Sequence, residues 1–195
     1  MVSTKSYSFV TKNVRMMIGV DRERGDQKLK EYSAANIRNL VLGGHSGSGK
    51  TSLAEALLFK AGATDRLGKT ADGNTVCDFD PEEIKRQVSV VSTVAPLEWK
   101  NNKINLIDTP GLFDFEGAYY EGLRAAETVL ICVSARSGVK VGTVKAFKAA
   151  KKAGKRSIIF ISKMDTDEVD FEKVLDQLKT QLGSSVCPLV VPMNS

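Results

Sequence analysis

Histidine is nearly absent from this chain: His45 stands alone among 195 residues. With that one imidazole placed inside a glycine-rich loop, no Cys/His metal cluster or Ser-His-Asp set is available. Cysteine is scarce too, at Cys77, Cys132 and Cys187. Three widely spaced thiols suit a reducing cytosol and argue against a disulfide framework or a zinc site. Cys132 lies in an apolar run and is expected in the core. No apolar run reaches about 18 residues, so no transmembrane helix is expected. Residues 1–20 lack the continuous apolar stretch of a secretory signal. Internal repeats and low-complexity tracts are also missing. The expectation is a cytoplasmic protein without membrane contact.

What is present suits one compact domain: 42% hydrophobic and 26% charged residues. Net charge is +5 and the pI about 9.1. Residues 1–35 hold seven Lys/Arg and four Asp/Glu, and the remainder hold 21 and 19. The bulk of the chain is therefore nearly balanced, and bulk charge alone does not show that it binds nucleic acid; no DNA partner is expected. Residues 1–35 show no sustained period and read as a flexible extension. Residues 36–195 read as the domain.

Along that domain, residues 36–42 form a strand pattern ending in Gly43-Gly44. Residues 50–61 form a helix with Leu53, Leu57 and Leu58 on one face. Residues 62–87 are polar and rich in Gly and Asp, the mark of a functional or mobile loop. Residues 88–97 and 103–107 read as antiparallel strands joined by a turn at Asn101-Asn102. Helices are expected at 118–126, 143–153 and 170–182, and strands at 128–134, 156–162 and 186–191. This alternation predicts an α/β three-layer fold with a mostly parallel six-stranded sheet and one antiparallel strand. Ligands bind beyond the carboxyl ends of such strands.

Three motifs fall there. Gly44-His45-Ser46-Gly47-Ser48-Gly49-Lys50-Thr51, followed by Ser52, matches G-x-x-x-x-G-K-[ST] between a strand and a helix. Glycines let the backbone N–H groups wrap phosphate oxygens, and the helix N-terminus adds partial positive charge. Lys50 is suited to bridge the β- and γ-phosphates and Thr51 to ligate Mg²⁺. His45, inside this loop, is assigned backbone support rather than catalysis. Asp108-Thr109-Pro110-Gly111 follows a strand: its Asp can hold Mg²⁺ through water, and its Gly N–H can meet the γ-phosphate. Ser162-Lys163-Met164-Asp165 ends another strand. A carboxylate at Asp165 can accept both N1–H and N2–H of guanine, a pair that adenine lacks, and the Lys163 stem can cover the base.

Together these motifs resemble a translational GTPase, in the elongation factor G branch, over residues 37–192. Asp108 to Phe115 is similar to that branch's D-T-P-G-H-V-D-F, and 161–165 to its N-K-M-D segment. Residues 83–99, with Arg86, Ser89 and Trp99, resemble the end of its first switch and the strand after it. The match is most similar to the divergent elongation factor G-like proteins. The resemblance implies a P-loop G domain that binds GTP or GDP with Mg²⁺, and a full-length monomeric factor that acts on the ribosome. Ser89 would complete the metal coordination with Thr51.

Four departures bear on function. Leu112 stands where the family carries the histidine that positions the attacking water. A leucine has no donor or acceptor for that water, so weak or altered hydrolysis is expected. The alternatives are an adequate GTPase in which Leu112 only seals a hydrophobic gate, and a non-hydrolysing GTP-binding switch. Ser162 replaces an Asn that ties the base loop to the phosphate loop, at a cost of roughly one hydrogen bond, about 0.5–1.5 kcal/mol. Gly47 replaces an acidic residue, and Ser89 replaces a threonine, with Gln87 before it in place of glycine. By the resemblance, the family's inserted subdomain, its last guanine-contacting loop and its later domains have no counterpart, so the chain reads as a truncated piece. A P-loop ATPase of another class is disfavoured by Asp165. The run Lys145, Lys148, Lys151, Lys152, Lys155 and Arg156 reads as a solvated helix face, with ribosomal RNA as the functional alternative. Trp99, Tyr119 and Tyr120 are assigned to packing, and Glu82-Glu83 to a solvated switch.

Overall fold

Val41 and Leu42 are adjacent in sequence and both fully buried. Successive strand residues point to opposite faces, so this strand must be covered on both sides. It is β1 (Ile37–Gly43), the middle of a sheet in the computed structural model, which describes residues 30–166 and 169–192. The other strands are β2 (Thr93–Trp99), β3 (Asn102–Asp108), β4 (Thr128–Ser134) and β5 (Arg156–Ser162). Their order is β2-β3-β1-β4-β5, with β2 antiparallel to β3 and all other pairs parallel.

Helix α1 (Lys50–Lys60) covers one face, where Ala54 and Leu58 meet Leu42, Ala95, Leu97 and Leu106. The short α2 (Pro81–Arg86) lies in the long connection before β2. Helices α3 (Glu116–Ala125), α4 (Val141–Lys152) and α5 (Phe171–Leu182) cover the other face. There Tyr119, Leu123, Ala146, Val174 and Leu178 pack on Val41, Ile107, Val129, Ile131 and Val133. Each fully buried aliphatic side chain contributes about 1.5–3 kcal/mol. A Cβ on Gly122 would lie 2.7 Å from Val41 Cγ2, so α3 reaches β1 only because this residue is glycine.

The layers and the antiparallel pair agree with the expectation, but the strand count does not. Among the described residues the sheet has five strands, not six. Residues 186–191 form no strand, and Leu189 and Val190 are 88% and 86% exposed. Pro188 has no N–H to offer a ladder, and Pro192 follows directly after this stretch.

The first half of the expected strand 88–97 is also irregular. There the N–H groups of Val90 and Val91 donate to the Glu83 carboxylate, at 2.8 and 3.1 Å, instead of to a neighbouring strand. Within the expected loop, α2 forms because Asp80 and Glu83 make a reciprocal capping box with Pro81 at the first turn. The β2–β3 turn is centred on Lys100 and Asn101, both at positive φ, one residue earlier than expected.

Residues 1–29 of the expected extension lie outside the described residues. Within its described end, Lys30 pairs with Glu98 at 2.9 Å. Cys132 is fully buried, as expected. Tyr119 is buried with its hydroxyl on the Ala146 carbonyl at 3.0 Å, while Trp99 and Tyr120 are 44% and 49% exposed. No helix among the described residues is long and apolar enough to cross a membrane.

Candidate nucleotide site

The site is built from the ends of β1, β3 and β5. After β1 the chain turns through Gly44, at φ 131°, where a Cβ would collide with the Cys132 carbonyl oxygen. Gly49, at φ 88°, caps α1 without a side-chain hydrogen bond. The first N–H groups of the helix, those of Lys50, Thr51 and Ser52, have no helical partner and lie at its positive end. Ser48 Oγ is buried and unpartnered. The Lys50 ammonium is buried and donates to the Gly44 and His45 carbonyls at 3.2 and 3.1 Å. Burial lowers its pKa.

β3 delivers Asp108 to the same place. The Thr51 hydroxyl donates to Asp108 Oδ2 at 2.7 Å and lies 3.2 Å from Ser89 Oγ. Ser89 in turn donates to Asp78 Oδ1 at 2.7 Å. Asp108 Oδ1 is buried with no partner. Burial pushes the Asp108 carboxyl up to about 6, against the Thr51 hydrogen bond and Lys50, which favour its charged form. Burial likewise raises Asp78. Two hydroxyls beside two carboxylates, one with an open oxygen, are the all-oxygen donor set of a hard divalent cation, so these residues fit Mg²⁺.

Thr109 is buried and donates to the Leu42 carbonyl at 2.7 Å, which holds this segment on β1. Pro110 follows, and Gly111 then lies against the phosphate loop. A Cβ at Gly111 would be 2.7 Å from both the N and Cα of Ser46, so no larger residue fits. Leu112 is 37% exposed and lines a cleft of ≈ 30 Å³ with Gly111, Phe113, Glu116 and Lys145. The His45 ring is 6.0 Å from that of Phe113. Its Nδ1 is buried without a partner, and a Cβ on Gly142 would sit 2.7 Å from it. Burial, then Lys50 and Lys140, lower its pKa and favour the neutral ring.

β5 brings in the third motif. Ser162 Oγ donates to the Ser48 carbonyl at 2.8 Å. Lys163, at φ 58°, donates from Nζ to the Gly47 carbonyl at 3.1 Å. Met164 packs on the core, and Asp165 is exposed two residues beyond Lys163. All three motifs thus meet at one rim of the sheet.

Two buried acids are also part of this arrangement. Glu83 is fully buried, contrary to the solvated reading, and also accepts from the Asp80 N–H at 3.2 Å. Glu55 is buried and accepts from the Val76 and Cys77 N–H groups at 2.7 and 3.2 Å. The spacing Asp80-Pro81-x-Glu83 is a capping signature readable in the sequence. Asp78 and Glu55 carry no such signal.

The Elongation factor Tu GTP binding domain family matches residues 35–191. An elongation factor G-like protein of Mycobacterium tuberculosis is 39% identical over 176 residues, 88% of this chain and 25% of its own length. Ribosome-releasing factor 2, mitochondrial, of Culex quinquefasciatus is 35% identical over 158 residues, 81% of this chain and 21% of that one. A crystal structure from Thermus thermophilus superposes with a TM-score of 0.73 at 40% identity, covering 76% of this chain and 22% of that one. The chain spans about a quarter of the length of the curated relatives it matches. With the family matched over most of its residues, the chain belongs to the elongation factor Tu GTP-binding domain family, as the G domain of a translational GTPase.

Proposed function

We propose that this G domain binds a guanine nucleotide with Mg²⁺ and serves an elongation factor G-like protein that works on the ribosome. The observation that carries this reading is the chain Asp78–Ser89–Thr51–Asp108 beside an α1 N-terminus whose N–H groups are free. In this reading the loop Gly44, His45, Ser46, Gly47, Ser48 and Gly49 surrounds the phosphates, and Lys50 offsets their charge. Thr51 and Ser89 would hold the cation through their hydroxyls, with Asp108 behind it through water. Magnesium held there would neutralise phosphate charge. Thr109, Pro110, Gly111 and Leu112 report the γ-phosphate. Lys163 flanks the base, and Asp165 selects guanine.

Leu112 supports slow hydrolysis. Loss of a polar group that positions water commonly lowers a rate on the order of 10²–10⁴-fold. His45 is a poor replacement, because its Nδ1 is enclosed beside Gly142. A non-hydrolysing switch is the second reading, favoured by the same leucine.

The test is titration with fluorescent GTP and ATP, with Mg²⁺ and with EDTA. GTP is expected to bind at least tenfold tighter than ATP, and more weakly without the cation. Equal affinity for the two nucleotides refutes the guanine assignment.

A further inference from the structure

The near balance of charge after residue 35 hides a one-sided distribution. Residues 128–164 contain nine Lys/Arg and no Asp/Glu, which leaves 19 cations and 23 anions in the rest of the chain. The segment is also contiguous in space: β4 and β5 pair along their length, and α4 packs on both.

Helix α4 holds its densest part. At about 100° per residue, Lys145, Lys148, Lys151 and Lys152 fall within an arc of about 120°. All four are exposed. Lys145 has Glu116 at 3.8 Å. Among the described residues, Lys148, Lys151 and Lys152 have no carboxylate within 4.0 Å. A helix without acids has no i,i+4 ion pairs, and like charges at that spacing destabilise it. The C-terminal dipole offsets this only within the last turn. Such a face is matched by a polyanion.

We propose that the exposed face of α4 centred on Lys148, Lys151 and Lys152 docks an RNA phosphate backbone. An anionic membrane would need an apolar stripe beside the cations. The large apolar residue exposed on α4 is Val141, a full turn and more before Lys148. Ile158 and Phe160 are exposed, but they alternate with Ile159 and Ile161, which pack toward α4, and so face away from it. The lysines also lie away from the nucleotide. α4 starts beside His45 at Gly142 and runs 12 residues, about 18 Å, toward the opposite pole of the sheet. RNA and nucleotide can therefore occupy the chain together, and this surface does not depend on the nucleotide assignment.

The test is fluorescence anisotropy of a labelled RNA hairpin with the full chain between 50 and 200 mM salt. Three phosphate contacts predict a log–log salt slope of about −2 to −3. The triple variant Lys148→Gln, Lys151→Gln, Lys152→Gln is expected to lose at least about tenfold in affinity and most of that slope. A control triple, Lys60→Gln, Lys69→Gln, Lys85→Gln, removes exposed charge elsewhere and should bind like the wild type. Circular dichroism and retained binding of labelled GTP verify that the variant is folded, and they separate failure of this surface from failure of the nucleotide site. An unchanged slope in the α4 variant, an equal loss in the control, or tighter binding to phosphatidylserine vesicles than to the hairpin overturns the proposal.

Discussion

The Ser162 hydroxyl donates to the Ser48 carbonyl at 2.8 Å, so the end of β5 is tied to the phosphate loop by a side chain shorter than asparagine. Gly49, at φ 88°, passes close to this tether: a Cβ there would be 3.3 Å from Ser162 Oγ. Ser162→Ala removes one neutral hydrogen bond, about 0.5–1.5 kcal/mol. The Kd for labelled GDP should rise about two- to tenfold. An unchanged Kd would show that the tether does not support nucleotide binding.

Leu112 lines the cleft between Gly111 and α4. Leu112→His restores a group able to orient water there. Single-turnover phosphate release in the presence of ribosomes is expected to accelerate by on the order of 10²-fold or more. A wild-type rate already equal to that of the variant would mean that the leucine does not limit hydrolysis.

Glu83 gathers the N–H groups of Asp80, Val90 and Val91 around one buried carboxylate. Glu83→Gln keeps the shape but replaces an acceptor oxygen with a donor that faces other donors. A loss of roughly 1–3 kcal/mol is expected, and with it a fall in Tm of about 3–10 °C. Because Ser89 sits just before Val90, the Mg²⁺ dependence of nucleotide binding should weaken as well. A variant with wild-type melting and metal dependence would contradict this role.

Gln87 adopts a left-handed conformation, φ 55° and ψ 35°, at the end of α2. A Cβ there costs about 1–2 kcal/mol. Gln87→Gly is expected to raise stability by up to about 1 kcal/mol, the gain being reduced by the greater freedom of glycine when unfolded. Gln87→Val should lower it by about 1–2 kcal/mol. Urea unfolding of both variants reads the difference, and a glycine variant less stable than the valine variant would exclude strain at this position.

Cys132 is fully buried and its thiol is pushed up to about 12 by burial, whereas Cys187 is exposed. Cys77 is buried as well. A thiolate-selective reagent at pH 8 should therefore modify Cys187 quickly, and Cys77 and Cys132 only on unfolding. Mass spectrometry of labelled peptides reads this directly. Rapid labelling of Cys132 in the native chain would mean that β4 opens readily.

The three loops were legible because each carries chemistry in adjacent residues. The glycines of 44–49 force one turn, the strand before them ends at that turn, and the helix after them begins at Lys50. The alternation of helix and strand likewise indicates the layered fold and the parallel sheet. Residues 186–191 mislead because their apolar pattern suits a strand, while a strand exists only where a neighbour accepts its hydrogen bonds. The 88–92 segment is a similar case, its N–H groups being taken by a carboxylate.

Local sequence determined what short-range physics governs: the backbone turns at glycine, the capping box of α2, the apolar faces of the helices and the alternation of strand and helix along the chain. Tertiary structure alone decided what depends on distant residues meeting. It buried Glu83 and Glu55 as backbone acceptors, placed Asp78 behind Ser89, and brought Ser162 to Ser48 across 114 positions of chain. A carboxylate's worth depends on whether water or N–H groups surround it, and only the folded chain settles which.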